Sequence, residues 1–161
     1  MTSSLLIKVD IKQQFLNLYD GNDLLKSYPI CSAKNGLGEK SGSECTPRGQ
    51  HIIRAKIGQA APLGSVFVGR RLTGEVYHFN LAATQPKRDW ILSRILWLSG
   101  LEKGRNRLGT VDTMRRYIYI HGAPDELILM QPSSHGCIRM FNKDIIELYG
   151  LVEVGIQVSI Q

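Results

Sequence analysis

The stretch QPSSHGCIRM, residues 131–140, places Cys137 among residue types that suit chemistry better than a buried strand. Ser134, His135 and Arg139 are polar or charged, and Gly136 permits the tight backbone that aims successive N–H groups at an oxyanion. A free thiol has a pKa of about 8.5, so a nucleophilic cysteine needs a base or a positive environment. These neighbours favour a nucleophile over an inert buried thiol at Cys137.

Two histidines are candidates for the base that would activate this thiol. His135 lies two residues before Cys137, and residues two apart share one face of a strand. His121 ends an apolar strand pattern sixteen residues upstream of Cys137, with Gly122 behind it. The strand argument favours His135, but spacing alone leaves both histidines open.

The other two cysteines have simpler interpretations. Cys31 ends an apolar strand pattern and is predicted to be buried core, whereas Cys45 lies in a long loop, either exposed or facing the site. Zinc bound by His121, His135 and Cys137 with one of these cysteines is the chemical alternative. No CxxC or HxxxH pair supplies two ligands from one turn, so we expect no metal, and no cofactor is indicated.

Length and composition indicate a single domain, residues 1–161. The chain carries a net charge of +6 and three cysteines at irregular spacing, which suits a core-stabilised fold in a reducing compartment. Its basic residues are scattered, so nucleic acid binding is not expected. We recognise no signal peptide and no membrane span, and we expect a cytoplasmic protein, or a periplasmic one if the natural chain is longer.

Apolar patterning predicts a mostly β domain, a β-sandwich or half-open barrel with one or two helices. Strands are predicted at residues 5–11, 15–19, 24–30, 50–57, 66–69, 76–81, 117–121 and 157–160. Asp89 is predicted to cap a helix that stops near Gly100, and Asn142 one that runs to Tyr149. Residues 32–49 have loop composition, and a loop this long is usually functional.

Four further side chains receive structural interpretations. His51 and His78 lie in strand patterns and are predicted to be satisfied structural histidines. Trp90 and Trp97, seven residues apart, fall on one face of the predicted helix and are expected to pack in the core. The alternatives for the tryptophans are a substrate platform or a lid over the site.

Residues 120–140, IHGAPDELILMQPSSHGCIRM, resemble the signature of the L,D-transpeptidase catalytic domain. In that signature a His-Gly pair precedes a Ser-His-Gly-Cys motif, which ends in Arg or Asn two residues after the cysteine. The Thr46-Pro47-x-Gly49 turn and the terminal Gly155-x-x-Val158 strand extend the resemblance to nearly the whole chain. Residues 89–106 also resemble a short, signal-less subgroup of the family.

The resemblance implies a fold, the L,D-transpeptidase catalytic domain, and a set of roles. It makes Cys137 the nucleophile and His121 the base, against the spacing argument, with the Gly122 carbonyl orienting that histidine. It also implies that His135 and Gly136 line the oxyanion hole and that Ser134 and Arg139 face the substrate. A positive Arg139 would lower the pKa of the thiol and could hold a substrate carboxylate, and a bridge to a nearby acidic residue is the alternative.

The family's reaction implies peptidoglycan stem peptides or muropeptides as partners. Cysteine attacks the carbonyl at the L-centre of diaminopimelate, releases the terminal D-alanine and keeps the shortened stem as a thioester. Water as acceptor gives an L,D-carboxypeptidase of peptidoglycan recycling, and an amine from a second stem gives a 3-3 cross-link. The missing signal and a lid formed by residues 90–104 over the acceptor side favour water. Cross-linking is the alternative, and a non-catalytic peptidoglycan-binding module is a remote one.

Overall fold

The computed structural model describes residues 4–127 and 129–161. Across these residues the chain forms ten strands, two α-helices and a short 3-10 turn. The strands are β1 (Leu5–Asp10), β2 (Phe15–Asp20), β3 (Asp23–Pro29), β4 (Gly49–Ile57), β5 (Ser65–Val68), β6 (Arg71–Val76), β7 (Ile91–Gly100), β8 (Tyr119–Ala123), β9 (Ile138–Phe141) and β10 (Gln157–Ile160). The helices are α1 (Phe79–Thr84) and α2 (Asn142–Leu151). The prediction of a mostly β, half-open barrel with two helices is confirmed.

All ten strands belong to one curled sheet, which branches at β7. Its main path runs β3-β2-β1-β10-β4-β7-β5-β6, and β8 pairs with β7 and with β9. The β8–β9 pair is parallel, with Ile120 opposite Ile138 and His121 opposite Arg139. This register places the start of β9, and therefore Cys137 just before it, beside the strand that carries His121.

Two apolar clusters fix the strands that matter for the site. In the larger one, α2 packs Ile145 and Leu148 against the sheet, so β8 is held on one side by that helix. In the smaller one, Phe67, Ile95 and Tyr119 pack together, and Cys137 lies against them. The thiol is therefore anchored in the apolar packing of three different strands, β5, β7 and β8.

The helix predicted from Asp89 to Gly100 is wrong, because residues 91–100 form strand β7. This strand pairs with β4, β5 and β8, and it is buried on both faces from Leu92 to Leu96. A strand covered on both faces has no alternation, and a short apolar run of this kind does not distinguish helix from strand. A bulge at Ser93, whose φ is +70°, breaks the remaining period of two.

The tryptophans pack in different clusters, and residues 91–100 of the predicted lid belong to an interior strand. Trp90 packs edge-on against Tyr77, whereas the Trp97 ring lies 5.9 Å from that of Tyr119 in the other cluster. Since residues 91–100 are an interior strand, they are not free to close over an acceptor groove.

Smaller differences concern the ends of elements. The strand predicted at residues 76–81 is wrong, because Val76 is the last residue of β6 and residues 79–81 belong to α1; His78 caps that helix by accepting a hydrogen bond from the Leu81 N–H. Phe141 occupies the N-cap of α2, and Asn142 is its first helical residue. The sequence did not predict strand β6 or strand β9, which follows Cys137.

His51 is structural, as predicted, and it makes folding sensitive to acid. It is fully buried, with Nδ1 3.0 Å from the Gly49 carbonyl and Nε2 3.0 Å from the Thr113 hydroxyl. Burial lowers the pKa of His51 to about 4. Between about pH 4 and pH 6.5, His51 is therefore protonated to a greater extent in the unfolded chain than in the folded one, so protons favour unfolding.

We therefore expect the free energy of unfolding to fall as the pH is lowered from about 6.5 toward 4. The His51 contribution is about 3 kcal/mol when the descent is complete. Denaturant unfolding across this pH range measures the effect, and His51→Gln should show a shallower slope than the wild type. An equal slope in the two proteins would contradict the assignment to His51.

Candidate active site

The Cys137 thiol is held by the backbone at the start of β8. Sγ accepts a hydrogen bond from the Tyr119 N–H at 3.3 Å and lies 3.4 Å from the Tyr117 carbonyl oxygen, to which a protonated thiol donates. The side chain is half-buried against the cluster of Phe67 and Ile95. These contacts fix the sulfur at the edge of an apolar surface.

Burial raises the pKa of Cys137 to about 12, and the Asp89 charge acts in the same direction. The Tyr119 N–H and the guanidinium groups of Arg139 and Arg116 favour the thiolate and oppose this rise. Because burial is the larger cause, the thiol is protonated at neutral pH. A nucleophilic Cys137 therefore needs a base that takes its proton during attack.

His121 has the protonation state that such a base needs. It is fully buried in β8, and its Nδ1 lies 2.7 Å from the Gly122 carbonyl oxygen. Since a carbonyl only accepts, Nδ1 carries the proton and Nε2 offers its lone pair. Nε2 is buried and has no hydrogen-bond partner among the described residues. Burial also lowers the pKa of His121, which keeps the ring neutral.

His121 and Cys137 approach the same face of β8. His121 is opposite Ile95 of β7 and two residues from Tyr119, so these three side chains share one face of the sheet. The Cys137 side chain packs against the cluster that contains Ile95 and Tyr119. The structure thus brings together the nucleophile and base implied by the resemblance.

His135 does not meet the premise of the spacing argument. Residues 135–137 form a bend before β9 begins, so they are not strand residues and the rule of two does not apply. The His135 side chain is exposed and lies at the mouth of the cavity described below.

Gly122 lies where β8, β7 and α2 meet. A Cβ added to Gly122 would be 2.5 Å from the Leu92 carbonyl oxygen and 2.7 Å from Oδ1 of Asn142. Asn142 also donates from Nδ2 to the Ala123 carbonyl at 2.9 Å. A side chain at Gly122 would push these elements apart and move the carbonyl that orients His121.

The turn before Cys137 is fixed by hydroxyl groups. The Ser134 hydroxyl donates to the Cys137 carbonyl at 2.6 Å and accepts from the Gly136 N–H at 3.2 Å. Thr46 in the long loop donates to the Gly136 carbonyl at 2.9 Å and accepts from the Ala33 N–H. Ser134 is 1% exposed and shapes the turn from within, and it also lines the cavity beside Cys137.

The long loop, residues 32–49, packs against the turn that precedes Cys137, and holding that turn in place is its structural role. Gly136 has φ of +133°, and a Cβ there would lie 3.2 Å from the Cys45 carbonyl oxygen. Arg116 holds that carbonyl with a 2.6 Å hydrogen bond from Nη2. The Cys45 thiol itself contacts the carbonyls of Asn35 and Ser43, whereas its backbone borders the turn. Cys31 is fully buried, as predicted.

Arg139 forms an ion pair with Asp89, a residue that the sequence predicted to be a helix cap. Its Nη2 lies 3.1 Å from Oδ1 of Asp89, and its Nη1 donates to the Ser133 hydroxyl at 3.4 Å. Asp89 also acts to raise the pKa of both His121 and Cys137. No local signal reveals this role, because Asp89 reaches the site only through the pairing of β7 with β8.

Two adjoining cavities open beside the thiol. The larger, about 320 Å³, is bordered by Cys137, whereas the smaller, about 210 Å³, is not. Both are lined by Asp89, His135 and Arg139, so the ion pair stands between them. Arg70, Arg116, Tyr117 and Tyr119 also line the larger cavity. Sequence reasoning did not assign a site role to any of these four residues.

Metal binding and membrane insertion have no counterpart in the described part of the chain. Residues 4–127 and 129–161 contain no group of three or more His, Cys, Asp or Glu side chains placed to hold a metal ion. None of their helices combines the length and the apolar character needed to cross a membrane.

The chain belongs to the YkuD family, the L,D-transpeptidase catalytic domain, whose family model matches residues 4–160. Among solved structures, an L,D-transpeptidase from Mycobacterium smegmatis is 18% identical with a TM-score of 0.62, covering 99% of this chain and 59% of that one. L,D-transpeptidase 3 from Mycobacterium tuberculosis, in complex with a faropenem-derived adduct, is 15% identical with a TM-score of 0.61, covering 99% of this chain and 60% of that one. The chain thus spans about three fifths of these neighbours, which share its fold. No curated protein matches the sequence.

Proposed function

We propose that the chain cleaves the diaminopimelate-D-alanine L,D bond of peptidoglycan tetrapeptides through a thioester on Cys137. The observation that carries this proposal is the buried Nε2 of a neutral His121, which has no hydrogen-bond partner among the described residues and belongs to the face of β8 against which the thiol packs. An imidazole nitrogen without a partner in an apolar interior is costly unless it has a use. Accepting the thiol proton is the use that the neighbouring Cys137 supports.

The chemistry follows from these positions. His121 takes the proton of Cys137 as Sγ attacks the carbonyl at the L-centre, and the carbonyl oxygen becomes an oxyanion. His121 then gives that proton to the departing nitrogen of D-alanine, the C–N bond breaks and the thioester remains. The positive ring formed in between is stabilised by the Gly122 carbonyl and by the negative charge of Asp89.

The oxyanion faces the turn formed by residues 135–137. The Gly136 N–H already donates to the Ser134 hydroxyl, so we assign the N–H of Cys137 as the principal donor to the oxyanion. Gly136 contributes the positive φ that shapes the turn. Preorganised donors of this kind stabilise charge that develops only in the transition state. The contacts from Thr46 and Arg116 keep the turn rigid before the substrate arrives.

We propose water as the acceptor, which makes the reaction an L,D-carboxypeptidation. Of these two cavities the thiol borders the larger one, and about 320 Å³ is near the lower end of sites for small ligands. A donor peptide fills such a cavity, and water is the acceptor that needs no further room. Soluble stem peptides or muropeptides are the substrates that this size favours.

Cross-linking is the second candidate, and the smaller cavity favours it. Because that cavity shares Asp89, His135 and Arg139 with the larger one, an amine bound there would approach the thioester across the ion pair. The two candidates share every catalytic assignment and differ only in what attacks the thioester.

Product analysis separates these candidates. With a disaccharide tetrapeptide as substrate, we expect mass spectrometry to show tripeptide and free D-alanine with little 3-3 dimer, also when an amine acceptor is added in excess. A dominant dimer would replace carboxypeptidation by cross-linking. Binding of the tetrapeptide without release of D-alanine would instead indicate a non-catalytic module.

A further inference from the structure

Arg70 projects from the tip of a hairpin into the wall of the larger cavity. It occupies the turn between β5 and β6 with Gly69, and both residues have positive φ, +66° and +55°. Two positive φ values in a two-residue loop are those of a type I′ turn, for which Asn and Gly are the usual residues. A residue with a side chain, such as arginine, is sterically disfavoured at positive φ. Local backbone preference therefore does not explain why Arg70 occupies this turn.

Aromatic side chains hold the Arg70 guanidinium in place. Its Cζ lies 4.9 Å from the centre of the Trp97 ring and 4.8 Å from that of Tyr117. Nη1 donates to the Tyr119 hydroxyl at 3.0 Å, and the N–H of the same tyrosine contacts the Cys137 sulfur. Tyr119 therefore links the Arg70 guanidinium to the Cys137 thiol, since it contacts both groups.

The other two arginines that line the cavity are already occupied. Arg139 is paired with Asp89. Arg116 is half-buried and donates to a hydroxyl and three carbonyl groups: Ser43, Gly38, Glu39 and Cys45. Among the described residues, no carboxylate lies within ion-pair distance of Arg70. Arg70 is thus a prepositioned cation whose planar fork retains free donors.

We propose that Arg70 is a carboxylate-binding subsite for the peptide that Cys137 attacks. This inference rests on the proposed function and deepens it, because the sequence pointed to Arg139 for such a contact. A guanidinium binds a carboxylate with two parallel hydrogen bonds, and packing against rings reduces the freedom it loses on binding. The stem offers two carboxylates near the attacked carbonyl, the C-terminus of the leaving D-alanine and the D-centre of diaminopimelate.

A cycle of enzyme variants and substrate variants tests the subsite. The substrates are a free tetrapeptide, the same peptide as a C-terminal amide, and the same peptide amidated at the D-centre carboxylate. The enzymes are the wild type, Arg70→Gln, which keeps much of the aliphatic stem, and Arg70→Lys, which keeps the charge but loses the fork. Arg71→Ala is the matched control, since Arg71 is exposed on β6 and borders neither cavity.

We expect Arg70→Gln to lower kcat/KM for the free tetrapeptide by roughly 10- to 100-fold, with Arg70→Lys in between and Arg71→Ala unchanged. The wild type should lose a similar factor on one of the two amides, and Arg70→Gln should no longer distinguish that amide from the free peptide. The amide on which discrimination disappears identifies the bound carboxylate. Equal discrimination by the wild type and Arg70→Gln on both amides would overturn the proposal.

Equilibrium binding separates this inference from the proposed function. In the Cys137→Ala background, calorimetry with the same peptides measures the subsite without any turnover. If the wild type releases no D-alanine but Arg70→Gln weakens binding of the free peptide and of one amide while leaving binding of the other amide unchanged, the function fails and the subsite stands. If turnover is as proposed but Arg70→Gln binds all three peptides as tightly as its background, the subsite fails.

Discussion

Replacing Cys137 by alanine or serine is expected to lower the release of D-alanine from a tetrapeptide by at least about 1000-fold. The thiol is the group that would form the thioester, and its sulfur accepts a hydrogen bond from the Tyr119 N–H on the face of β8 that also carries His121. A serine hydroxyl is a far weaker nucleophile at neutral pH and does not restore the reaction. Steady-state release of D-alanine by the purified variants measures the loss.

The other cysteines provide the matched controls. Cys45→Ala removes a half-buried thiol whose contacts are two loop carbonyls, and its activity should stay within a few fold of the wild type. Cys31→Ala removes a buried thiol that contacts the Gln131 carbonyl, so it should lower the melting temperature but retain most of the activity. Comparable losses in all three variants would contradict a single essential thiol.

Replacing His121 by glutamine is expected to lower the rate of acylation by about 10²- to 10⁴-fold. The thiol is protonated at neutral pH because burial raises its pKa to about 12, so attack requires a base. Burial lowers the pKa of His121, and the acidic limb of kcat/KM should therefore lie below about pH 6.5 in the wild type. Stopped-flow acylation across pH measures both effects, and His121→Gln should lose that limb.

His135→Ala is the control for the base. The His135 side chain is exposed at the mouth of the cavity, and its removal should change KM more than the pH dependence. If His135→Ala abolished the acidic limb while His121→Gln acylated within a few fold of the wild type, the two roles would be exchanged. Melting temperatures of both variants separate these effects from loss of folding, since His121 is buried.

The sequence predicts much of the fold where strands are half-buried. In β1 the buried residues Ile7 and Val9 alternate with more exposed ones, and the same holds for Leu16 and Leu18 in β2. Such alternation identifies a strand directly. Strand β7 carries no such signal from Leu92 to Leu96, where it is buried on both faces, and an apolar run of this kind does not distinguish a strand from a helix.

The site was predictable to the extent that its chemistry lies in one motif. Cys137 stood out by its neighbours, whereas the choice between His121 and His135 came from the family resemblance. The premise of the spacing argument fails because the turn before Cys137 is not a strand, and His121 reaches the face on which the thiol packs through the pairing of β7 with β8. Asp89 and Arg70 lie far from Cys137 in sequence and approach it through β7 and the β5–β6 hairpin. Long-range pairings of this kind leave no trace in local sequence patterns.

The most direct test of the account is capture of the acyl-enzyme itself. The protein is mixed with a tetrapeptide, quenched in acid within the first turnover and digested, and the peptide that contains Cys137 is analysed by mass spectrometry. The thioester mechanism predicts a tripeptide acyl group on Cys137 that hydroxylamine removes, together with one equivalent of D-alanine. It predicts no such group in Cys137→Ala. Release of D-alanine with an unmodified Cys137 throughout, or acylation of Cys45 or Cys31, would contradict it.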